Sequence, residues 1–97
     1  PARAVRGAAA MLDAAATHGL TARAGIHAGE VELQGEEVRG IAVHAAARIL
    51  DVAQPGEVLV STTIRDLLSG SGLDFVDRGE FELRGLNGFR SLAALVR

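Results

Sequence analysis

Several residue types are missing from this chain, and each absence narrows what it can do. It has no cysteine, so disulfides and thiolate metal sites are excluded. It has no lysine, because all ten basic residues are arginine, so lysine chemistry cannot take place within it. Three phenylalanines are its only aromatic residues, and its formal net charge is −2. A chain with neither a basic surface nor a stacking platform is not expected to bind nucleic acid.

Long apolar runs are also missing, although 48% of the residues are hydrophobic and the mean hydropathy is +0.24. No run approaches the roughly 18 residues that a membrane span needs, and no signal-peptide pattern opens the chain. Together with the absence of cysteine, this favours a cytoplasmic location. The length suffices for one domain at most. Because the chain opens at Pro1 rather than at a methionine, we expect a piece of a longer protein. A partner or missing parts of the fold would then cover the excess apolar surface.

Hydrophobic periodicity predicts eight elements in the order αββαβαββ. They are a helix over 1–18, strands over 20–28 and around 31–33, a helix over 40–53, a strand over 57–61, a helix from 62 to 68, and strands over 75–83 and 90–96. Ser61 or Thr62 is the candidate N-cap of the third helix, and Gly79 is a candidate bend. This order predicts an α+β fold in which the helices cover one face of a sheet.

The predicted helix over 40–53 carries His44 and Arg48 four residues apart, hence on one face. An imidazole and a permanently charged guanidinium on a rigid helix suit the recognition of a phosphate or a carboxylate. Spacing alone names no ligand. The simpler interpretation is that Arg48 pairs with Asp51 or another surface carboxylate while His44 packs at the core, because surface ion pairs are common on helices.

His27 and Glu30 form a weaker candidate site. A histidine near a carboxylate suggests a metal pair, but no third ligand lies nearby in the sequence. An ordinary strand-end histidine is therefore the favoured interpretation. Four glycines lack the spacing of a phosphate loop and fit turns and close packing better. They are Gly25, Gly29, Gly35 and Gly40.

Five segments carry a family pattern whose spacing holds over essentially the whole chain. They are GIHAGEV at 25–31, EVRG at 37–40, VHAAARI at 43–49, PGEVLVS at 55–61 and DRGEFELRG at 77–85. Together they resemble the C-terminal part of the class III adenylate/guanylate cyclase homology domain. Each segment alone is a weak signal, and the combination is specific.

The resemblance implies a ferredoxin-like nucleotidyl cyclase fold, truncated at its N-terminus, with 1–97 as the C-terminal part of a single domain. In this family two domains pair head to tail and form active sites at their interface. The implied reaction of the full-length parent converts ATP, with GTP less favoured, into cyclic AMP and pyrophosphate for signalling. Since uncovered sheet edges invite pairing, we expect the fragment to form a homodimer or a swapped oligomer.

The resemblance also implies roles for four residues. Arg48 matches a family arginine that, with an asparagine four residues earlier, holds the ribose and triphosphate through the transition state. His44 stands in place of that asparagine and can still donate one hydrogen bond, but it is bulkier and its charge depends on pH. Glu37 matches an acid that selects the base, commonly aspartate, with a solvated turn carboxylate as the alternative. Arg84 stands where a phosphate-binding lysine is frequent, with a surface arginine near Glu82 as the alternative.

The metal-binding acids of the family would lie upstream of Pro1, so no metal ligand is assigned in this chain. Mg²⁺ or Mn²⁺ is expected in the full-length parent, and the fragment alone is predicted to be inactive because the metals neutralise most of the phosphate charge. Two alternatives stay open. One is a degenerate cyclase-like module that binds nucleotide, or only its partner domain, and regulates without catalysis. The other is a plain interaction domain that uses the fold without the site.

Overall fold

The computed structural model describes residues 2–27, 30–34, 45–84 and 88–97. They form helices and strands in the predicted order αββαβαββ. In chain order these are α1 (Ala2–Thr17), β1 (Arg23–His27), β2 (Glu30–Gln34), α2 (Ala45–Val52), β3 (Val58–Ser61), α3 (Thr62–Leu67), β4 (Phe75–Glu82) and β5 (Phe89–Leu95). None of the described helices is long and apolar enough to cross a membrane.

The strands form one mixed sheet in the order β2-β1-β3-β5-β4. β1 and β3 run parallel, with Ala24 opposite Val58, and the other pairs of described strands are antiparallel. The chain reaches β3 through β2 and α2, a connection long enough to restore the direction of β1. A mixed sheet with packed helices confirms the α+β prediction.

The helices cover both faces of this sheet. One core cluster joins α1 and α3 to the sheet and includes Val5, Leu12, Ala24, Ile26, Val58, Val60, Ile64 and Ala93. A second cluster joins α2 to the opposite face and includes Ile49, Ala53, Leu59, Leu92 and Ala94. All residues of β3 are buried, because neighbouring residues of a strand point to opposite faces and both faces are covered. The prediction of helices on one face is therefore wrong.

Gly25 marks the second covered face of the sheet. Gly25 alternates with the buried apolar residues Ala24 and Ile26 along β1, and it lies directly against α2 on the other face of the sheet. A Cβ atom at this position would lie 2.6 Å from the backbone N of Leu50 and 2.7 Å from the carbonyl O of Ala46. Only glycine permits so close an approach of helix and strand. Close packing is thus confirmed for Gly25, whereas Gly29, Gly35 and Gly40 lie outside the described residues.

The C-terminal end of α2 is fixed by a residue of β1. The Nη1 atom of Arg23 donates hydrogen bonds to the carbonyl oxygens of Leu50, at 3.1 Å, and Ala53, at 3.0 Å. The last carbonyls of a helix lack partners within the helix, and a cation there also interacts favourably with the helix dipole. The sequence predicts this helix over 40–53. In the structure α2 is Ala45–Val52, and residues 40–44 lie outside the described residues.

Two local predictions are confirmed at the ends of strands. Ser61 is the N-cap of α3, and its Oγ accepts a hydrogen bond from the backbone N of Ile64 at 3.4 Å. The edge strand β4 bends at Gly79, where the register shifts and φ is +90°. A bulge and charged side chains protect β4 against pairing with another chain. The expected homodimer or swapped oligomer stays a prediction.

Candidate functional site

Arg48 lies on α2 and is mostly buried, with 13% of its side chain exposed. Its Nη1 atom donates a hydrogen bond to Oδ2 of Asp51 at 2.9 Å, across one turn of the helix. The pairing named in the simpler interpretation of the sequence is therefore present. This hydrogen bond holds the guanidinium of Arg48 in place, but it does not indicate which ligand Arg48 binds.

Arg84 follows β4 and approaches the same carboxylate from another element. Its Nη2 atom lies 3.6 Å from Oδ2 of Asp51, and 77% of its side chain is exposed. One carboxylate oxygen thus lies close to two guanidinium groups. We call Arg48, Asp51 and Arg84 the arginine cluster. The structure thus brings together two residues for which the family resemblance implies phosphate binding. The carboxylate that lies beside Arg84 belongs to Asp51 on α2.

Asp51 stands in the last turn of α2, where the helix dipole disfavours a negative charge. Its side chain is 29% exposed, and the two nearby cations offset this unfavourable position. Among the described residues, the Nε atom of Arg48 is buried and has no hydrogen-bond partner. An unsatisfied buried donor is costly and is uncommon in folded proteins. The cluster therefore has cationic donors that the described protein atoms do not fully use.

A cavity of about 370 Å³ lies on the α2 side of the sheet. Its lining includes Ala45 and Ile49 of α2 and Leu83, which directly precedes Arg84. His27 and Ser61 also line it, and His27 Nδ1 lies 2.7 Å from Ser61 Oγ in a hydrogen bond. His27 is thus a strand-end histidine that is hydrogen-bonded to the capping residue Ser61.

No group of three or more histidine, aspartate or glutamate residues in the described ranges could hold a metal ion.

His44 and Glu37, the other two predicted site residues, lie outside the described residues. Sequence reasoning named no role for Arg23, although it anchors the helix that carries the cluster. The signal available was an arginine alternating with apolar residues in a strand, which is equally typical of a solvated side chain.

A second ion pair joins β4 to the segment before β3. Arg78 donates from Nε to Glu57 Oε2 at 2.6 Å and from Nη2 to Oε1 at 3.3 Å. The backbone N of Gln54 donates to Glu57 Oε1 at 2.8 Å. Burial alone would raise the pKa of Glu57, but the hydrogen bonds from Arg78 and Gln54 lower this pKa below its ordinary value. The hydrogen bond to Glu57 in turn raises the pKa of Arg78.

Comparison with known proteins gives one family. A family model described as the adenylate and guanylate cyclase catalytic domain matches residues 5–93. An uncharacterized protein of Mycobacterium tuberculosis is 39% identical over 67 residues, which are 66% of this chain and 24% of that protein. A protein of Rhizobium meliloti named putative adenylate cyclase 3 is 32% identical over 80 residues, which are 81% of this chain and 14% of that protein.

Among solved structures, the adenylyl cyclase CyaB from P. aeruginosa has a similar fold. The match has a TM-score of 0.52 at 19% sequence identity and covers 70% of this chain and 33% of that one. At this identity the likeness concerns the fold alone. The chain spans about a quarter of the length of the mycobacterial relative and less of the rhizobial one.

Proposed function

The chain belongs to the adenylate and guanylate cyclase catalytic domain family, and we propose that it supplies the arginine side of a nucleoside triphosphate site. In the whole protein this site would convert ATP into cyclic AMP and pyrophosphate, with GTP as the less favoured substrate. The observation that carries the proposal is the meeting of Arg48 and Arg84 at one carboxylate oxygen. Two guanidinium groups held close together match the oxygens of a polyphosphate.

Arg48 would stabilise charge on the phosphates during cyclisation. In this reaction the 3′-oxygen forms a bond to the α-phosphorus, the bond from that phosphorus to the bridging oxygen breaks, and pyrophosphate leaves with the electron pair. A cation fixed beforehand costs no reorganisation as the charge moves. Arg48 meets this requirement because α2 lies directly on Gly25 and is anchored by Arg23. Arg84, being exposed, would hold an outer phosphate.

His44 and Glu37 keep the roles that the sequence suggests. His44 would orient the ribose or a phosphate, and Glu37 would contact the base. Mg²⁺ or Mn²⁺ is proposed for the whole protein, where the ions would neutralise phosphate charge and activate the 3′-hydroxyl. The described residues do not offer a fitting ligand group for such an ion. The metal ligands would therefore come from elsewhere in the protein or its partner domain.

We also propose a homodimer or swapped oligomer, acting in the cytoplasm. Uncovered sheet edges favour pairing with another chain. Met11, Leu67 and Phe89 are also 56%, 65% and 66% exposed and are available to contact a partner. Light scattering at high concentration should give a mass above that of the monomer. A monodisperse monomer would contradict the proposed assembly.

A second candidate function is a regulator that binds nucleotide without catalysis. The observation in its favour is His44 in the place where the family usually has asparagine. An imidazole is larger than a carboxamide and can become charged near neutral pH, which changes what it offers to a ribose. The two functions share the arginine cluster and differ in turnover.

The test removes Arg48 and compares it with a matched arginine. Arg65 pairs with Asp66 on α3, which packs on the opposite face of the sheet, so Arg65→Ala is the control. In an NMR titration of the chain with ATP, we expect Arg48→Ala to weaken binding at least about tenfold, and Arg65→Ala to leave it unchanged. Equal binding by both variants would contradict a nucleotide site at this cluster.

Cyclic AMP formation separates the two candidate functions. The fragment alone should form none, even with Mn²⁺. The full-length parent with Mn²⁺ should form cyclic AMP if it is a cyclase, and Arg48→Ala should lower the rate by about 10²-fold or more. Binding of ATP without product in the parent would favour the regulator.

A further inference from the structure

We propose that Asp51 is a built-in competitor of the nucleotide phosphates, which must displace its carboxylate from between Arg48 and Arg84. The inference rests on the proposed function, because it concerns how the arginine cluster is occupied before a nucleotide arrives. It assigns to Asp51 the control of affinity at this site, as a competitor of the phosphate rather than as a phosphate ligand.

The geometry of one oxygen atom carries the inference. Oδ2 of Asp51 accepts the hydrogen bond from Nη1 of Arg48 at 2.9 Å and lies 3.6 Å from Nη2 of Arg84. A phosphate oxygen that contacts both arginines would need this same place. Carboxylate and phosphate oxygens both accept hydrogen bonds from guanidinium groups, so the two compete directly.

The rest of the cluster is consistent with a replaceable acceptor. Asp51 stands at the end of α2 that disfavours negative charge, so neutralising this carboxylate removes an unfavourable interaction with the helix dipole. Arg48 uses Nη1 for Asp51, while its buried Nε has no partner among the described residues. The present pairing therefore leaves the guanidinium incompletely satisfied. A ligand with several acceptor oxygens could use more of its donors than one aspartate does.

Neutralising Asp51 should change the phosphate affinity in opposite directions, depending on whether Asp51 competes with phosphate or supports Arg48. If Asp51 only held Arg48 in a binding-competent position, its neutralisation would weaken phosphate binding. If it occupies the phosphate position, neutralisation removes both the competitor and the repulsion between the displaced carboxylate and the phosphate. Affinity then rises, and it rises most at low ionic strength, where charge repulsion is least screened.

The probe is inorganic tripolyphosphate, titrated into the chain at low and at high potassium chloride. Asp51→Asn is compared with Asp66→Asn, which neutralises the partner of Arg65 on α3. We expect Asp51→Asn to bind tripolyphosphate about fivefold more tightly at low salt, because this factor corresponds to the free energy of one modest ion pair. Asp66→Asn should leave the affinity for tripolyphosphate unchanged. The gain should shrink at high salt. NMR of the Arg48 Nε–H group reports directly on the side chain concerned.

A variant that combines Asp51→Asn with Arg48→Ala tests whether the effect of Asp51 acts through Arg48. The gain from Asp51→Asn should vanish in an Arg48→Ala background, because no shared guanidinium is left. Asp51→Ala gives the same comparison with a residue that favours helix, in case the amide perturbs α2. Unchanged or weaker binding by both Asp51 variants, with Arg48→Ala still harmful, would overturn competition and leave the proposed function standing. Equal binding by wild type and Arg48→Ala would instead overturn the proposed function.

Discussion

Two ion-pair groups of this molecule use the same chemistry to different ends. In the Glu57–Arg78 pair, the carboxylate receives three hydrogen bonds, and the guanidinium also lies 5.7 Å from the ring centroid of Phe81. In the arginine cluster, one carboxylate is close to two guanidinium groups, one of them largely exposed. The first group pairs one carboxylate with one guanidinium, whereas the second places two guanidinium groups near one carboxylate.

This difference separates stability from binding. A carboxylate that is already hydrogen-bonded by one guanidinium and one backbone N–H contributes to folding and offers little to an anionic ligand. A cluster with surplus cationic donors contributes less to folding and retains affinity for anions. Substitutions in the two groups should therefore affect different measurements, and the following predictions test that separation.

The largest loss of stability is expected from a substitution of Gly25, which packs against the helix that carries Arg48 and Asp51. Gly25→Ala places a Cβ atom 2.6 Å from the backbone N of Leu50, so α2 must move away from the sheet. We expect the free energy of unfolding to fall by about 3 kcal/mol or more, with loss of ATP binding. Urea unfolding and ATP titration measure the two effects. Gly7→Ala in α1 is the control, because nothing lies within 4 Å of its added Cβ; equal loss in both variants would contradict the close-packing argument.

A smaller loss of stability is expected when the Glu57–Arg78 pair is broken. Glu57→Gln removes the charge but keeps the shape, and we expect a loss of about 1–2 kcal/mol at neutral pH with ATP binding unchanged. Urea unfolding measures the loss. Weakened ATP binding in this variant would break the separation between the two groups.

The pH dependence of that loss has a defined sign. The folded-state pKa of Glu57 is lowered below its ordinary value of 4.5. Its contribution to stability is therefore complete above about pH 4.5 and is lost as the pH falls through the folded-state pKa. The stability difference between wild type and Glu57→Gln should thus be constant between pH 7 and 5 and shrink under more acidic conditions. A difference that grows on acidification would contradict the assignment.

The smallest effect on stability is expected for Arg84→Ala. Its side chain is 77% exposed and its distance to Asp51 is 3.6 Å, so we expect a loss below about 0.5 kcal/mol. ATP binding should nevertheless weaken severalfold, because a cation is removed from the cluster. Arg65→Ala, which removes an exposed arginine from the other face, should match its stability but retain binding. Loss of stability comparable to that of Glu57→Gln would show Arg84 to be a structural residue.

Sequence patterns within a few residues predict the order of helices and strands, whereas contacts between distant residues determine how the candidate site is built. The cap at Ser61 and the bend at Gly79 follow from side-chain and backbone chemistry within a few residues, and both are confirmed. The second covered face of the sheet depends on Gly25 meeting α2, which no alternation within β1 reveals.

The arginine cluster was predictable only in part. Helical spacing identified Asp51 as a partner of Arg48, and the family resemblance placed Arg48 and Arg84 in one site. That both arginines meet one oxygen of Asp51 depends on how β4 ends relative to α2 across the sheet. Hydrophobic periodicity does not predict this contact, because the order and register of the strands determine which residues of β4 and α2 lie close together.

The attachment of Asp51 to the same helix as Arg48 has an entropic consequence. When a phosphate displaces a dissolved anion from an arginine, the freed ion gains translational entropy, and this release makes binding strongly salt-dependent. The Asp51 carboxylate remains tethered after displacement and releases nothing into solution. Polyphosphate binding to the native cluster should therefore vary less steeply with salt concentration than binding to two arginines whose counter-ions are free.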